Sequence, residues 1–495
     1  MSESPTLKTQ AHPHNSSFVP WWMGGESVPP AWTLRMQPYF SKLGNGDALT
    51  GAWLIAILIV TAIVYSRSIG GEFIGDDHAT IIQNHYISGW DFLWTSLVND
   101  QHWYVGPLNL PQSAYYRPLT NVWNAINFHL FGLHPAGWRA THIALHLFLV
   151  WLVFRVATLL TNDRWTALGT CGLFALFPTQ ADSAVYAIGA PLSAVFQMGA
   201  FAAYLRQIPN PSPQGNRWRS FGVSLCLFGC GLLAYETAAA FPALIAAHAF
   251  ILRAGEPGKQ KIAGSGRTRM ALSAMWPYAL EFIAYLMLRS WVLGGMLSPA
   301  SESSLSEISF IDRVLNAGLQ VPSFISAHIK LLLMPWRAAP QHLTFSPVTG
   351  IAAPGFYLPA LALAALFGTS VLLIWRHPHR SLYLFCGAWF VIALLPALPS
   401  NAIHDRYLYL PSFGFCLMIA DLAVVSSRRS ETRLKAVRVG VAVVAVVCAM
   451  LLYSVQYFWH DDAAWHARYM EEFPKRARLH SSLPRQPDGW GDIDH

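Results

Sequence analysis

Apolar residues along the chain fall in long blocks instead of periodic stripes, the pattern of helices surrounded by lipid and not of amphipathic helices around a soluble core. Blocks of spanning length run at 51–67, 138–160, 188–206, 236–252, 274–293, 356–375, 407–425 and 436–458. Shorter or more polar blocks lie at 165–178, 219–234, 314–334 and 381–398. A span needs ~20 predominantly apolar residues, so the pattern predicts an all-α polytopic membrane protein with about eleven transmembrane helices, or twelve if every block crosses.

The basic residues choose between these counts. Arg206, Arg217 and Arg219 follow one block, and Arg253, Lys259, Lys261, Arg267 and Arg269 follow another. Arg376 and Arg380 follow a third, and Arg428, Arg429, Arg433, Lys435 and Arg438 a fourth. The positive-inside rule places all four clusters in the cytoplasm. Counting back from the second cluster puts the amino terminus inside and the loop after residue 67 outside. Counting forward to Arg376 requires one block not to cross, and 314–334 is the candidate. It contains His328 and Lys330, and 294–355 is poor in basic residues, as an external re-entrant or interfacial element would be. The expectation is a polar cytoplasmic tail over 1–48, a transmembrane domain over 49–458 with a long first external loop at about 68–137, and a short external tail over 459–495.

Composition adds exclusions. The chain is 54% hydrophobic and 12% charged, with a formal charge of +7 and a pI near 9.1. Its basic residues sit in short clusters beside apolar blocks, so membrane topology accounts for the charge and nucleic acid is not an expected partner. All six cysteines lie in apolar blocks, without a CxxC pair or ligand spacing to histidine, and read as buried free thiols. The first 48 residues lack a basic region followed by a cleavage site, so insertion is expected to begin with the first span. Arginine outnumbers lysine, which points to a GC-rich bacterial genome and an inner membrane; in a eukaryote the endoplasmic reticulum membrane is the counterpart.

The candidate chemistry starts at GEFIGDDHATIIQN, residues 71–84. Asp76 and Asp77 are adjacent carboxylates just beyond a span; they repel each other and need a cation, a proton or a donor-rich pocket. A solvated Asx turn is the plainer reading. The topology places Asp182, Tyr235, Glu236, Asp405 and Arg406 on the same external face. Asp182 could instead cap a short helix, and Arg406 could pair with Asp405 or anchor at the interface. Glu236 lies in apolar surroundings and needs a partner. Arg139, His142 and His146 recur at helical spacing and share a face, better suited to a headgroup cavity than to zinc, because no Glu follows the first His. Lys330 could snorkel from an interfacial helix.

Several stretches carry a family resemblance: GEFIGDD; YYRPLTNVWNAINFHLFGLHPAGWRATHIALHLFLVWLVFR (115–155); FALFPTQADSAVYAIGAP (174–191); LLAYETAAAFP (232–242); HIKLLLMPW (328–336); and DRYLYLPSFGFCLMIA (405–420). In this order, over roughly 50–480, they resemble the GT-C glycosyltransferase module of the transmembrane and tetratricopeptide-repeat O-mannosyltransferases and their bacterial relatives. The resemblance implies a GT-C-like bundle with juxtamembrane helices in its first external loop. It implies inverting transfer of a sugar, mannose by default, from a polyprenyl- or dolichyl-phosphate carrier to an acceptor hydroxyl of a protein or glycan on the external face. Asp76 and Asp77 would occupy the catalytic position. A carboxylate there can take the acceptor proton, and the departing phosphate needs fixed cations. Arg117, Arg139, His142, His146, Lys330 and Arg406 are the donor-phosphate candidates, and Asp182, Glu236 and Asp405 would serve the acceptor or support the site. No tightly bound metal is expected, although the Asp76/Asp77 pair with Asp182 could hold a divalent cation.

The family pattern has His where this chain has Phe177, Lys where it has Tyr235, and an Arg followed by an acidic residue where it reads Ala190, Pro191 and Leu192. The acceptor end is therefore expected to be altered more than the lipid-phosphate end. Residues 460–483 read like the lead-in to a tetratricopeptide repeat, which suggests a shortened relative. A lipid-carrier-binding scaffold without catalysis and a transporter using the same cavity are the alternatives; the halves show no internal repeat of the transporter kind.

Overall fold

The computed structural model describes residues 46–465, apart from Asp76, 105–112, Ala114, 186–188, 208–213, 254–263, 295–309, 338–349, 401–402 and Asp462. Each of the twelve apolar blocks carries a helix. In chain order the helices are α1 (Gly46–Tyr65), α2 (Asp91–Val98), α3 (Pro118–Phe131), α4 (Pro135–Thr161) and α5 (Arg164–Leu176). They continue with α6 (Ala181–Val185), α7 (Ala190–Arg206), α8 (Gln214–Ala234), α9 (Phe241–Ile251) and α10 (Gly264–Val292). The last are α11 (Phe310–Leu333), α12 (Pro354–Ile374), α13 (Arg380–Leu394), α14 (Ser412–Ser427) and α15 (Glu431–Val455).

Local sequence sets the boundaries. Pro118, Pro135 and Pro354 each open a helix, where the missing N–H costs nothing and the fixed φ suits the first turn. Asn162 closes α4 in the left-handed region, and Asp163 at once caps α5 by accepting from the N–H groups of Trp165 and Thr166 at 2.9 and 3.2 Å. These two residues make α4 and α5 a tight antiparallel pair.

Six apolar stretches among the described residues are long enough to cross a membrane: Ala48–Gly70, Pro135–Thr161, Gly264–Val292, Pro354–Ile374, Arg380–Ser400 and Glu431–Trp459. A seventh forms if Pro178–Val185 and Ala190–Arg206, bent by 106°, count as one broken span. The chain is thus a multi-pass membrane protein. Helix α12 buries none of its residues, as a helix facing lipid should.

The main core joins α4, α5, α7, α9 and α14 through Leu149, Val153, Phe174, Phe201, Phe241 and Phe413. A second, smaller core lies in the loop between α1 and α4, where Phe73, Phe92, Trp103 and Trp138 hold α2 and α3 as a compact layer. The thiols need correction: Cys171, Cys386, Cys416 and Cys448 are buried, but Cys226 is exposed and Cys230 half-buried on α8. An outward thiol meets lipid at little cost, so hydropathy did not distinguish the two orientations.

At one end of the bundle Asp421 ties three helices together. It accepts from His379 Nδ1 at 2.7 Å, Tyr383 Oη at 2.8 Å and Thr166 Oγ1 at 3.4 Å. Arg428 and Asp163 pair beside it. The hydrogen bond to Asp421 raises the pKa of His379 above its ordinary value. A raised histidine stabilises the fold below its unfolded pKa and loses that contribution as pH rises through the folded value. The melting temperature of the wild type should therefore fall relative to His379→Gln as pH rises above the ordinary histidine value of about 6.5, as measured by a pH series of thermal melts in detergent. Parallel curves for the two proteins would refute the link.

Candidate active site

The loop after the first span begins as an extended strip that ends in a turn. Gly75 adopts φ 52°, a left-handed conformation open to glycine, and the turn closes with Asp77 N–H donating to the Ile74 carbonyl at 3.0 Å. The turn returns the Asp77 carboxylate over its own backbone, where Oδ2 accepts from the Ile74 N–H at 3.3 Å. Asp77 is 1% exposed. A carboxylate so buried needs positive charge, and Arg139 supplies it from the first turns of α4, with Nη2 3.7 Å from Asp77 Oδ2. Arg139 also donates to the carbonyls of Glu72 and Val185. Val185 is the last residue of α6, so the guanidinium bonds a carbonyl at the end of that helix.

Helix α6 links this pair to a second one. Asp182 accepts from the backbone N–H of Arg406 at 3.1 Å, and Arg406 Nε lies 3.5 Å from its Oδ2. Arg406 Nη2 lies 3.1 Å from His404 Nδ1. Asp182, from a segment 224 residues away, is thus an acidic neighbour of Arg406 that spacing along the chain did not indicate. Asp405 is fully buried beside it.

Arg117, immediately before α3, forms the third node. Its Nε lies 3.1 and 2.8 Å from the two oxygens of Glu236, and Nη2 lies 2.8 Å from Oε2, while Nη1 donates to Gln101 Oε1 at 3.0 Å. The Tyr115 and Tyr235 rings face its guanidinium at 4.1 and 4.2 Å. Burial alone would lower the Arg117 pKa; the Glu236 carboxylate, with Tyr235, reverses this and raises it. Thr120 Oγ1 donates to the Ala234 carbonyl at 2.7 Å and brings α3 against the end of α8. That approach requires Gly189, where an added Cβ would lie 2.6 Å from the Ala234 carbonyl. The third and second nodes adjoin, since Tyr235 lies within electrostatic reach of Arg406, Arg117 and Tyr407.

The structure thus brings together Asp77, Arg139, Asp182, Asp405, Arg406, Arg117 and Glu236. Asp76 lies outside the described residues. His142 accepts from Trp123 Nε1 at 3.2 Å and supports the interface of α3 and α4. His146 is fully buried in the main core, with Nδ1 2.7 Å from Tyr409 Oη and Nε2 3.3 Å from the Ala175 carbonyl. Lys330 is exposed on α11, two residues beyond His328, whose ring lies 6.2 Å from that of Tyr407. Phe177, one of the three departures from the family pattern, packs with Phe324, Leu331 and Leu408, so apolar contact with α11 occupies that position. The sequence did not single out Gln101, His404 or Tyr115. Only Tyr115 carried a signal, as the first residue of YYRPLT.

A multi-pass helical membrane protein with paired charges gathered at one end of its bundle is the class defined by these observations. Comparisons with known proteins give it relatives. No family model matches the chain. It is similar to the Protein O-mannosyl-transferase TMTC4 of Homo sapiens, 24% identical over 500 residues, covering 90% of this chain and 64% of that protein. It is also similar to Protein O-mannosyl-transferase Tmtc1 of Drosophila melanogaster, 28% identical over 178 residues, 36% of this chain and 20% of that one. The resemblance drawn from the motifs therefore extends along nearly the whole chain, which spans just under two thirds of the TMTC4 length. Among solved structures, the Archaeoglobus fulgidus oligosaccharyltransferase in its apo form is 12% identical with a TM-score of 0.46, covering 90% of this chain and 61% of that one. The archaeal oligosaccharyltransferase AglB from the same organism, in complex with an inhibitory peptide and a dolichol-phosphate, is 13% identical with a TM-score of 0.45, covering 90% and 61%.

Proposed function

We propose that the chain is an inverting glycosyltransferase that moves a sugar from a polyprenyl- or dolichyl-phosphate carrier to an acceptor hydroxyl. The observation that carries the reading is the coupling of Asp77–Arg139 to Asp182–Arg406 through α6, in a chain similar over 90% of its length to a protein O-mannosyl-transferase. In the reaction the acceptor oxygen attacks the anomeric carbon, its proton passes to Asp77 or Asp76, and the bond from that carbon to the phosphate oxygen breaks. The electron pair leaves with the lipid phosphate, and Arg406 and Arg139, with Lys330 further out, are the cations proposed to meet it. Arg406 is preferred to Arg117 for this role, because its 3.5 Å contact with Asp182 is longer than the bidentate Arg117–Glu236 pair. Mannose and a protein hydroxyl are the proposed sugar and acceptor, by analogy with the relatives. Eleven crossings with the site on the external face complete the reading.

The purified chain in lipid nanodiscs, given polyprenyl-phosphate mannose and a Ser/Thr-rich peptide, should transfer mannose and should continue after chelation by EDTA. Loss of turnover on chelation would replace the metal-free scheme. Intact protein that consumes no polyprenyl-phosphate hexose would overturn the reading.

A further inference from the structure

We infer that the Tyr115–Arg117–Tyr235 stack, with Glu236, is a pyranose-reading element and not part of the phosphate site; the inference rests on the transferase reading for its biological role. Arg117 has two tyrosine rings against its guanidinium, at 4.1 and 4.2 Å, and one edge taken by Glu236, at 2.8–3.1 Å. An entering phosphate would have to displace the carboxylate or sit beside it, and the carboxylate repels it. Charge neutralisation therefore makes this node a poor anion site despite its arginine.

The same node offers what a neutral sugar ring needs. Tyr115 is 43% exposed, so its ring has an accessible surface beyond the one turned to Arg117. The C–H face of a pyranose can lie on such a ring, as apolar groups do on aromatic faces. The Glu236 side chain is 27% exposed. Its two oxygens have about four acceptor positions, and Arg117 occupies only part of them, so neighbouring hydroxyls can donate to the remainder. The geometry is held rigidly. Gln101 N–H donates to the Tyr115 carbonyl at 2.8 Å, Gln101 Oε1 accepts from Arg117, and Tyr235, 7% exposed, is the buried ring against the guanidinium. The phosphate end of the donor is assigned to a different arginine, Arg406, which lies within electrostatic reach of Tyr235. Tyr115 and Glu236 are thus the sugar contacts, and Tyr235 is a positioning residue acting through Arg117.

The test measures binding without turnover. Saturation-transfer NMR on the full chain in nanodiscs, with methyl α-mannopyranoside as probe, should show contact at the ring C–H protons. Tyr115→Phe should retain affinity. Tyr115→Ala and Glu236→Gln should each weaken it by at least about fivefold, in protein whose thermal melt shows it folded. Tyr235→Phe should retain binding, whereas Tyr235→Leu should weaken it without changing which probe protons are saturated. Inorganic phosphate should not compete. Displacement of the glycoside by phosphate, or unchanged affinity in folded Tyr115→Ala, would overturn the inference. If mannose transfer proceeds but the folded wild type binds no glycoside, the inference fails and the transferase reading stands. If the glycoside binds as described and no transfer occurs, the reverse holds.

Discussion

Asp77→Asn should lower the rate of sugar transfer by about 10²–10⁴-fold, the range for loss of a general base, with little change in the concentration of lipid carrier needed for half-maximal rate. Asparagine has nearly the same shape. Its carbonyl oxygen can still accept from the Ile74 N–H, which Asp77 Oδ2 meets at 3.3 Å. Arg139 would keep its bonds to the Glu72 and Val185 carbonyls, so the turn at Gly75 and the break after α6 should survive. The variant therefore separates charge from architecture. Single-turnover transfer from polyprenyl-phosphate mannose, together with a melting curve, is the measurement required. A folded Asp77→Asn with wild-type kcat would move the base to Asp76, and retention of rate in Asp76→Asn as well would remove both from the chemistry.

How much of this site was legible in the sequence depended on whether a residue's need was local or shared. Asp77, Glu236 and Arg406 could be singled out because a charge in a chain with few charges must be compensated wherever lipid or core surrounds it. Their partners could not be found in the same way. Arg117 reaches Glu236 across 119 residues, and the Arg406 N–H reaches Asp182 across 224. No spacing rule operates at such separations. His146 shows the opposite limit. It shares a helical face with Arg139, as the spacing indicated, but seven residues further along a helix is ~10 Å deeper. At that depth its neighbours are Tyr65, Phe174 and Tyr409, and a histidine of the proposed phosphate site becomes a core histidine. Periodicity reports direction around an axis and says nothing of depth along it.

Arg139 is where the second large effect is expected. Arg139→Met should destabilise the fold by about 3–5 kcal/mol, the cost of removing one partner from a buried ion pair, because both Arg139 and Asp77 are almost wholly excluded from solvent. The methylenes of methionine replace the apolar stem, so the loss would report the guanidinium and its bonds to Asp77, Glu72 and Val185. Arg139→Lys should recover only part of it. An ammonium can compensate the Asp77 charge, but it lacks the planar fork that spans a carboxylate and two carbonyls from three separate segments. Denaturant titration in mixed micelles, following proteolysis of the loop between α1 and α4, would distinguish these variants. A double-mutant cycle with Asp77→Asn sharpens the result: removing both charges should cost less than the sum of the single losses, since Arg139→Met alone removes the nearest compensating charge from Asp77. Additive losses would mean that the 3.7 Å contact contributes nothing to holding the loop against α4, and that the two carbonyl bonds of Arg139 do so alone.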